Sequence, residues 1–88
     1  MIKNQVDESR FTFEDDGHIA ELNYIIGDGA MHITHTGVPS EIGGRGIAGQ
    51  LVKAAFDSAR EQGLKVVPAC SYAEAWVRKH ADYQDLVA

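Results

Sequence analysis

The sequence predicts an α/β fold, a mainly antiparallel sheet of four strands carrying two helices in the order β-β-β-α-β-α. Three observations lead there. Residues 10–14 and 19–26 alternate in the two-residue period of strands, around an Asp-Gly turn. From Gly46 onward the apolar residues recur at helical spacing. Between these regions lies the glycine-rich run Gly43-Gly44-Arg45-Gly46-Ile47-Ala48-Gly49, which joins a strand to a helix.

Each element has its own local cause. Arg10-Phe11-Thr12-Phe13-Glu14 alternates strictly and ends at the turn Asp15-Asp16-Gly17. After the turn, Ile19, Glu21, Asn23 and Ile25 oppose Ala20, Leu22, Tyr24 and Ile26, so the two segments pair antiparallel. A second turn at Gly27-Asp28-Gly29 leads into Met31–Val38, rich in β-formers, and Pro39 ends this third strand of a meander. In the first helix Ile47, Leu51, Ala54 or Ala55, Ser58 and Ala59 form the buried stripe, and Gly63 is the stop signal. Leu64–Cys70 is a short strand whose Pro68 points to an edge position, a bulge or a departure from regular pairing. It joins the preceding strand in parallel through the helical crossover. Ser71 is the expected cap of a second helix over about Tyr72–His80, with Ala73, Trp76, Val77 and His80 inward. Tyr83–Val87 closes the chain.

The 88 residues have room for one domain, 1–88, and a core this thin gains noticeably from a bound ligand. A net charge of −5 excludes general nucleic-acid binding, which depends on clustered Lys and Arg, but it leaves room for an anion held by a local loop. There is no long apolar run for a membrane, and Met1-Ile2-Lys3-Asn4 does not resemble a signal peptide, so the chain reads as cytoplasmic. Cys70 is the single cysteine, which rules out an internal disulfide and a Cys-rich zinc site. The four histidines, His18, His32, His35 and His80, form no H-x-x-x-H pair. His32 and His35 are an odd number apart and so should face opposite sides of a regular strand; no metal is expected.

The glycine run carries the chemistry. Its glycines let backbone N–H groups close on an anion at a helix start, where the helix dipole adds partial positive charge, and a pyrophosphate suits that arrangement. The alternative is a plain tight turn. Gly44-x-Gly46-x-x-Gly49 spells the dinucleotide fingerprint, but two other strands come first and the next strand ends at Ala69-Cys70 without an acidic residue. No Gly-Lys-Ser or Gly-Lys-Thr follows, so a nucleotide triphosphatase loop is also excluded.

The strand Ile33–Val38, the Gly-Gly-Arg-Gly-Ile-Ala loop and its helix resemble the cofactor-binding segment of the GNAT superfamily of N-acetyltransferases. The span from about Ile19 to Val87 is similar to the very small single-domain GNAT-like proteins, through His35-Thr36, Gly44-x-Gly46-Ile47-Ala48, Val66-Val67-Pro68-x-Cys70 and His80-x-x-Tyr83. The resemblance implies a minimal GNAT-like fold using acetyl-CoA as co-substrate. It implies that the amides of Gly43, Gly44, Arg45, Gly46, Ile47, Ala48 and Gly49 hold the coenzyme A pyrophosphate and that Val38 runs beside the pantetheine. The thioester would lie in a splayed gap between the Val38 and Cys70 strands. Two departures stand out: Gly43 replaces the superfamily's usual Arg or Gln, with Arg45 as a candidate to compensate, and Gly37 replaces a carboxylate of the small proteins.

Acetyl transfer to an amine needs a neutral nucleophile, a stabilised oxyanion and a proton for the departing thiolate. Glu41 and His35 are the candidate bases, each alternatively a solvated loop charge or a hydrogen-bonded sheet residue. Cys70, directly before a helix, is either a small core residue or, by the resemblance, a group at the acetyl, as acyl carrier or proton donor. The tyrosine that larger relatives carry on the last helix is absent from Ala75-Trp76-Val77-Arg78, with Tyr72 a possible substitute or a packing aromatic, and Trp76 reads as core. The expected function is acetyl transfer from acetyl-CoA to a small-molecule or protein amine. The alternatives are a CoA-binding module without turnover and an interaction domain that uses the loop only as a turn.

Overall fold

In the computed structural model, residues 2–88 are described; Met1, the first residue of the start read for a signal, lies outside them. The meander forms as its turns require. At Asp16-Gly17 and again at Asp28-Gly29 both central residues have positive φ, 50° and 74° in the first and 53° and 76° in the second. These are the backbone angles whose twist matches the flanking strands of a two-residue hairpin. They connect strand β2 (Arg10–Asp15) to β3 (His18–Gly27), and β3 to β4 (Ala30–Gly37). An additional strand, β1 (Ile2–Gln5), pairs antiparallel with β2, so the sheet has five strands in the order β1-β2-β3-β4-β5 rather than four. Ile2-Lys3-Asn4-Gln5 is too short and polar to announce itself by alternation, and it sits at the edge, where little burial is asked of it.

Helix α1 (Ile47–Glu61) crosses from β4 to β5 (Lys65–Pro68), which pairs parallel to β4. Its stripe Ile47, Leu51, Val52, Ala55, Phe56 and Ala59 packs in one core with Phe11, Leu22 and Ile33 of the sheet. Each large side chain in that stripe contributes about 1.5–3 kcal/mol of burial, which outweighs the roughly 1 kcal/mol that a missing N-terminal cap costs. The helix ends in a Schellman motif: Leu64 N donates to Ala59 O and Gly63 N to Arg60 O, with Gly63 at φ 71°.

Helix α2 runs over Ser71–Arg78 and buries Ala73, Trp76 and Val77 in the same core. Its cap is Cys70 rather than Ser71: Cys70 is extended, and its Sγ accepts the Ala73 N–H at 3.3 Å. His80 lies outside the helix and is exposed instead of inward; it stacks on the Trp76 ring at 3.8 Å between centroids. Both helices share the core on one face of the sheet. On the other face Ile19 and Ile25 are exposed.

One irregularity positions the site. Asn23 pairs with His35 but Tyr24 with Ile33, so Thr34 is an extra residue, a β-bulge in β4. Beyond it the alternation shifts by one. Thr36, opposite buried Leu22, turns to the helix face, and His35, opposite Asn23, turns to the open face. His32, opposite Ile25, is on that same open face, so the bulge overturns the expectation that His32 and His35 face opposite sides.

Candidate functional site

The bulge falls where β5 leaves. β4 and β5 pair only from Ala30 with Lys65 to Ile33 with Pro68. Pro68 has no N–H to continue the ladder, and the chain turns, with Ala69 N bonded to Val67 O and Cys70 N to Ile33 O. The remainder of β4, Thr34–Gly37, runs on without a β5 partner, so the two strands splay. Cys70 and Thr36 meet at this opening, with Sγ and Oγ1 3.5 Å apart.

At the far side of β4 the chain makes a 3-10 turn, Ser40–Ile42, and enters the glycine run. Gly44 (φ 77°) and Gly46 (φ 75°) lie in the left-handed region, and Gly46 is the N-cap of α1 without any side-chain cap. Gly43 N is taken by Ser40 O, and Gln50 N by Gly46 O. The backbone N–H groups between them, Gly44 through Gly49, have no acceptor among the described residues. They sit where the positive end of the helix dipole is also found, so the residues present fit a diphosphate. Val38, Ile42, Gly43, Gly44, Gly46, Ile47, Ala48 and Tyr72 line a cavity of about 260 Å³ there. A larger one, about 410 Å³, lies between α2 and the C-terminal segment. Its polar groups are already engaged: Gln84 Nε2 donates to the carbonyls of Val77 and Arg78, and Arg78 pairs with Glu74. The smaller cavity holds the free donors.

Two of the residues read from the sequence as cofactor-binding lie off this cavity. Arg45 points to the β2–β3 hairpin, where its guanidinium bonds Asp15 at 2.7 Å, Asp16 at 2.8 Å and the Glu41 carbonyl at 3.4 Å. The hydrogen bonds it donates to Asp16 and then to Asp15 raise its pKa above the ordinary arginine value. Arg45 thus ties the loop to the hairpin. Gly49 is the third residue of α1, where a methyl group on it would lie 3.5 Å from Tyr72 Oη and 3.6 Å from Trp76 Nε1.

The three catalytic candidates are not brought together. Cys70 is at the splay on the helix face. His35 is on the open face, where a methyl group on Gly37 would lie 3.0 Å from its Nε2, so the imidazole occupies the space of a residue-37 side chain. Glu41, in the 3-10 turn, has an exposed carboxylate 4.0 Å from His18 Nδ1. Sequence reasoning missed Thr36 as the neighbour of Cys70 and Asp15 and Asp16 as partners of Arg45. Only the bulge, which leaves no mark in the alternation, turns Thr36 inward. The Asp pair read as turn formers, which they also are.

Among the described residues no group of His, Cys, Asp and Glu is arranged to hold a metal, and no helix is long and apolar enough to cross a membrane. Comparison with known proteins adds a family to this geometry. Residues 10–86 match the family model of the GCN5-related N-acetyl-transferases. Protein NATD1 of Xenopus tropicalis is 38% identical over 55 residues, which are 62% of this chain and 50% of that protein. Protein NATD1 of Homo sapiens is 38% identical over 55 residues, 49% of its length. The chain therefore spans about half the length of the curated relatives it matches. A GCN5-like Staphylococcus aureus protein solved by NMR superposes with a TM-score of 0.78 at 36% identity, covering 100% of this chain and 87% of that one. A splayed parallel strand pair beside an uncapped glycine loop, on a sheet of matching topology and over a matched span of this length, leads to one conclusion: the chain belongs to the GCN5-related N-acetyltransferase family.

Proposed function

We propose that the protein transfers acetyl from acetyl-CoA to an amine carried by a small molecule or a protein, in the cytoplasm. The observation that carries this reading is the run of unpartnered N–H groups from Gly44 to Gly49, set beside the opening between β4 and β5. The amides suit the diphosphate, and Val38, half-buried just past the end of β4, suits the pantetheine arm.

A gap in a sheet joins its two faces. The helices cover one of them, so the acceptor would approach from the open face, where His35 stands in the space beside Gly37. In the reaction the amine lone pair attacks the thioester carbonyl carbon and an electron pair moves onto oxygen. The tetrahedral intermediate then collapses, forming the amide and expelling the CoA thiolate. His35 is the base that takes the amine proton in this proposal, with Glu41 the second candidate. Cys70, hydrogen-bonded to Thr36, is the group at the thiolate, as proton donor or as the carrier of a transient acetyl.

A second reading, a CoA-binding module without turnover, draws support from the separation of Cys70, His35 and Glu41. Calorimetry with CoA, followed by mass spectrometry and CoA release over an amine panel, separates the two. Binding with release that falls in Cys70→Ala, at nearly unchanged CoA affinity, supports the transferase. Binding with neither release nor acetylated Cys70 supports the module, and no binding removes both.

A further inference from the structure

Trp76 is only 8% exposed, and aromatic rings hold it in place: Phe56 at 5.4 Å, Tyr83 at 5.2 Å and His80 stacked at 3.8 Å between centroids. A phenyl ring would serve that packing, yet the residue carries an indole N–H that has no acceptor among the described residues. No buried side-chain N or O lacks a partner among them, so Nε1 reaches the surface. It does so beside Gly49, and the Tyr72 hydroxyl, also without a partner, arrives at the same place. The two atoms, at positions i and i+4 of α2, converge over the first turn of α1, where the N–H groups of Ile47, Ala48 and Gly49 are unpartnered as well. Tyr72 also lines the glycine-loop cavity and an adjoining one of about 250 Å³ that it shares with Trp76 and Lys79.

We propose that α2 supplies the second half of the diphosphate site, with Trp76 Nε1 and Tyr72 Oη donating hydrogen bonds to the phosphate oxygens that the amides of the glycine loop hold from the other side. The inference rests on the reading of the chain as a CoA binder. It assigns to α2 the side-chain donors that Gly43 and the occupied guanidinium of Arg45 do not provide. A diphosphate there receives charge-assisted hydrogen bonds from two helices instead of one.

Trp76 is the protein's one tryptophan, so its emission reports on the site directly. In the wild type, CoA and ADP should shift or quench that emission, and pantetheine, which lacks the diphosphate, should not. Measured by calorimetry, Trp76→Phe keeps a ring in the aromatic cluster and should bind CoA about tenfold more weakly. Tyr72→Phe should weaken it about threefold, as its hydroxyl is the more solvated donor. Should Trp76→Phe show no cooperative melting transition, Tyr72→Phe decides alone, because Tyr72 is 43% exposed and its hydroxyl bonds no other group among the described residues. Wild-type affinity in the variants, with CoA binding abolished in Gly46→Val, overturns this inference and leaves the glycine-loop reading standing. Absence of CoA binding in the wild type overturns both.

Discussion

The two ends of α1 contrast sharply. At the C-terminus every device of closure is present: the Schellman bonds through Gly63, and Arg60 paired with Asp85 at 3.1 Å and with the Asp82 carbonyl at 2.9 Å. At the N-terminus Gly46 caps without a side chain and the first amides have no acceptor among the described residues. Both ends use a glycine with positive φ, but one closes the backbone's hydrogen bonds and the other leaves them open. A helix held by a fully buried stripe does not need its N-terminal cap for stability, so that end is available for a ligand.

The largest expected effect tests this contrast directly. Gly46 (φ 75°) and Gly63 (φ 71°) both have open space where a side chain would begin, so in each a valine is penalised by the backbone angle alone. That strain is about 1–3 kcal/mol, or roughly 5–20 °C in melting midpoint for a domain of this size. Gly63→Val should show that loss and bind CoA, per folded molecule, as tightly as the wild type. Gly46→Val should show a comparable loss of stability and also weaken CoA by about 100-fold or more, since several charge-assisted hydrogen bonds depend on the loop's path. Equal affinities in the two variants, read by calorimetry below both midpoints, would erase the distinction between the ends.

The same contrast explains what the sequence could disclose. Asp-Gly turns, the helical stripe and the Gly63 stop are local signals, each readable within a few residues, and the elements they mark stand where the pattern puts them. The glycine loop was legible because its composition is itself the device. β1 was hidden because an edge strand of four residues needs no alternation. The cap at Cys70 was hidden because serine is the commoner cap, and here the chain turn after Pro68 places the cysteine first. The bulge at Thr34 depends on cross-strand register, and through it the faces of His32, His35 and Thr36 were beyond local reading. Arg45 and Trp76 show the same limit: what each side chain reaches is set by partners 30 and 27 residues away, Asp15 and Gly49.

Arginines placed at both ends sharpen the comparison at a smaller scale. Arg60→Ala should lower the melting midpoint by a few degrees at most and leave CoA affinity unchanged, because the pair it makes with Asp85 is solvent-exposed. Arg45→Ala frees the loop from the hairpin and should weaken CoA by roughly threefold to tenfold. The combination Asp15→Asn with Asp16→Asn separates the two roles open to Arg45. If the arginine acts by anchoring the loop, the double variant weakens binding as Arg45→Ala does. If it serves phosphate directly, releasing it and removing two nearby negative charges strengthens binding. Calorimetry reads the sign.

The smallest effect belongs to the closed end, where Tyr83 Oη donates to Asp57 at 2.7 Å and Lys53 to the same carboxylate at 3.0 Å. Partial burial alone would raise the Asp57 pKa, but the Tyr83 and Lys53 hydrogen bonds together outweigh it and hold the group below the ordinary carboxylate value. A pKa lowered on folding contributes stability that is present above the unfolded value and lost as the pH falls through the folded one. Tyr83→Phe keeps the ring against Phe56 and Trp76 and removes only the donor. For so exposed a carboxylate the cost is about 0.5 kcal/mol, or roughly 2–4 °C near neutral pH. The melting curves of variant and wild type should therefore differ at pH 7 and converge as the pH falls below the carboxylate range, with CoA affinity equal throughout. An offset that persisted undiminished into acid would assign the loss to packing around Tyr83 rather than to its bond with Asp57.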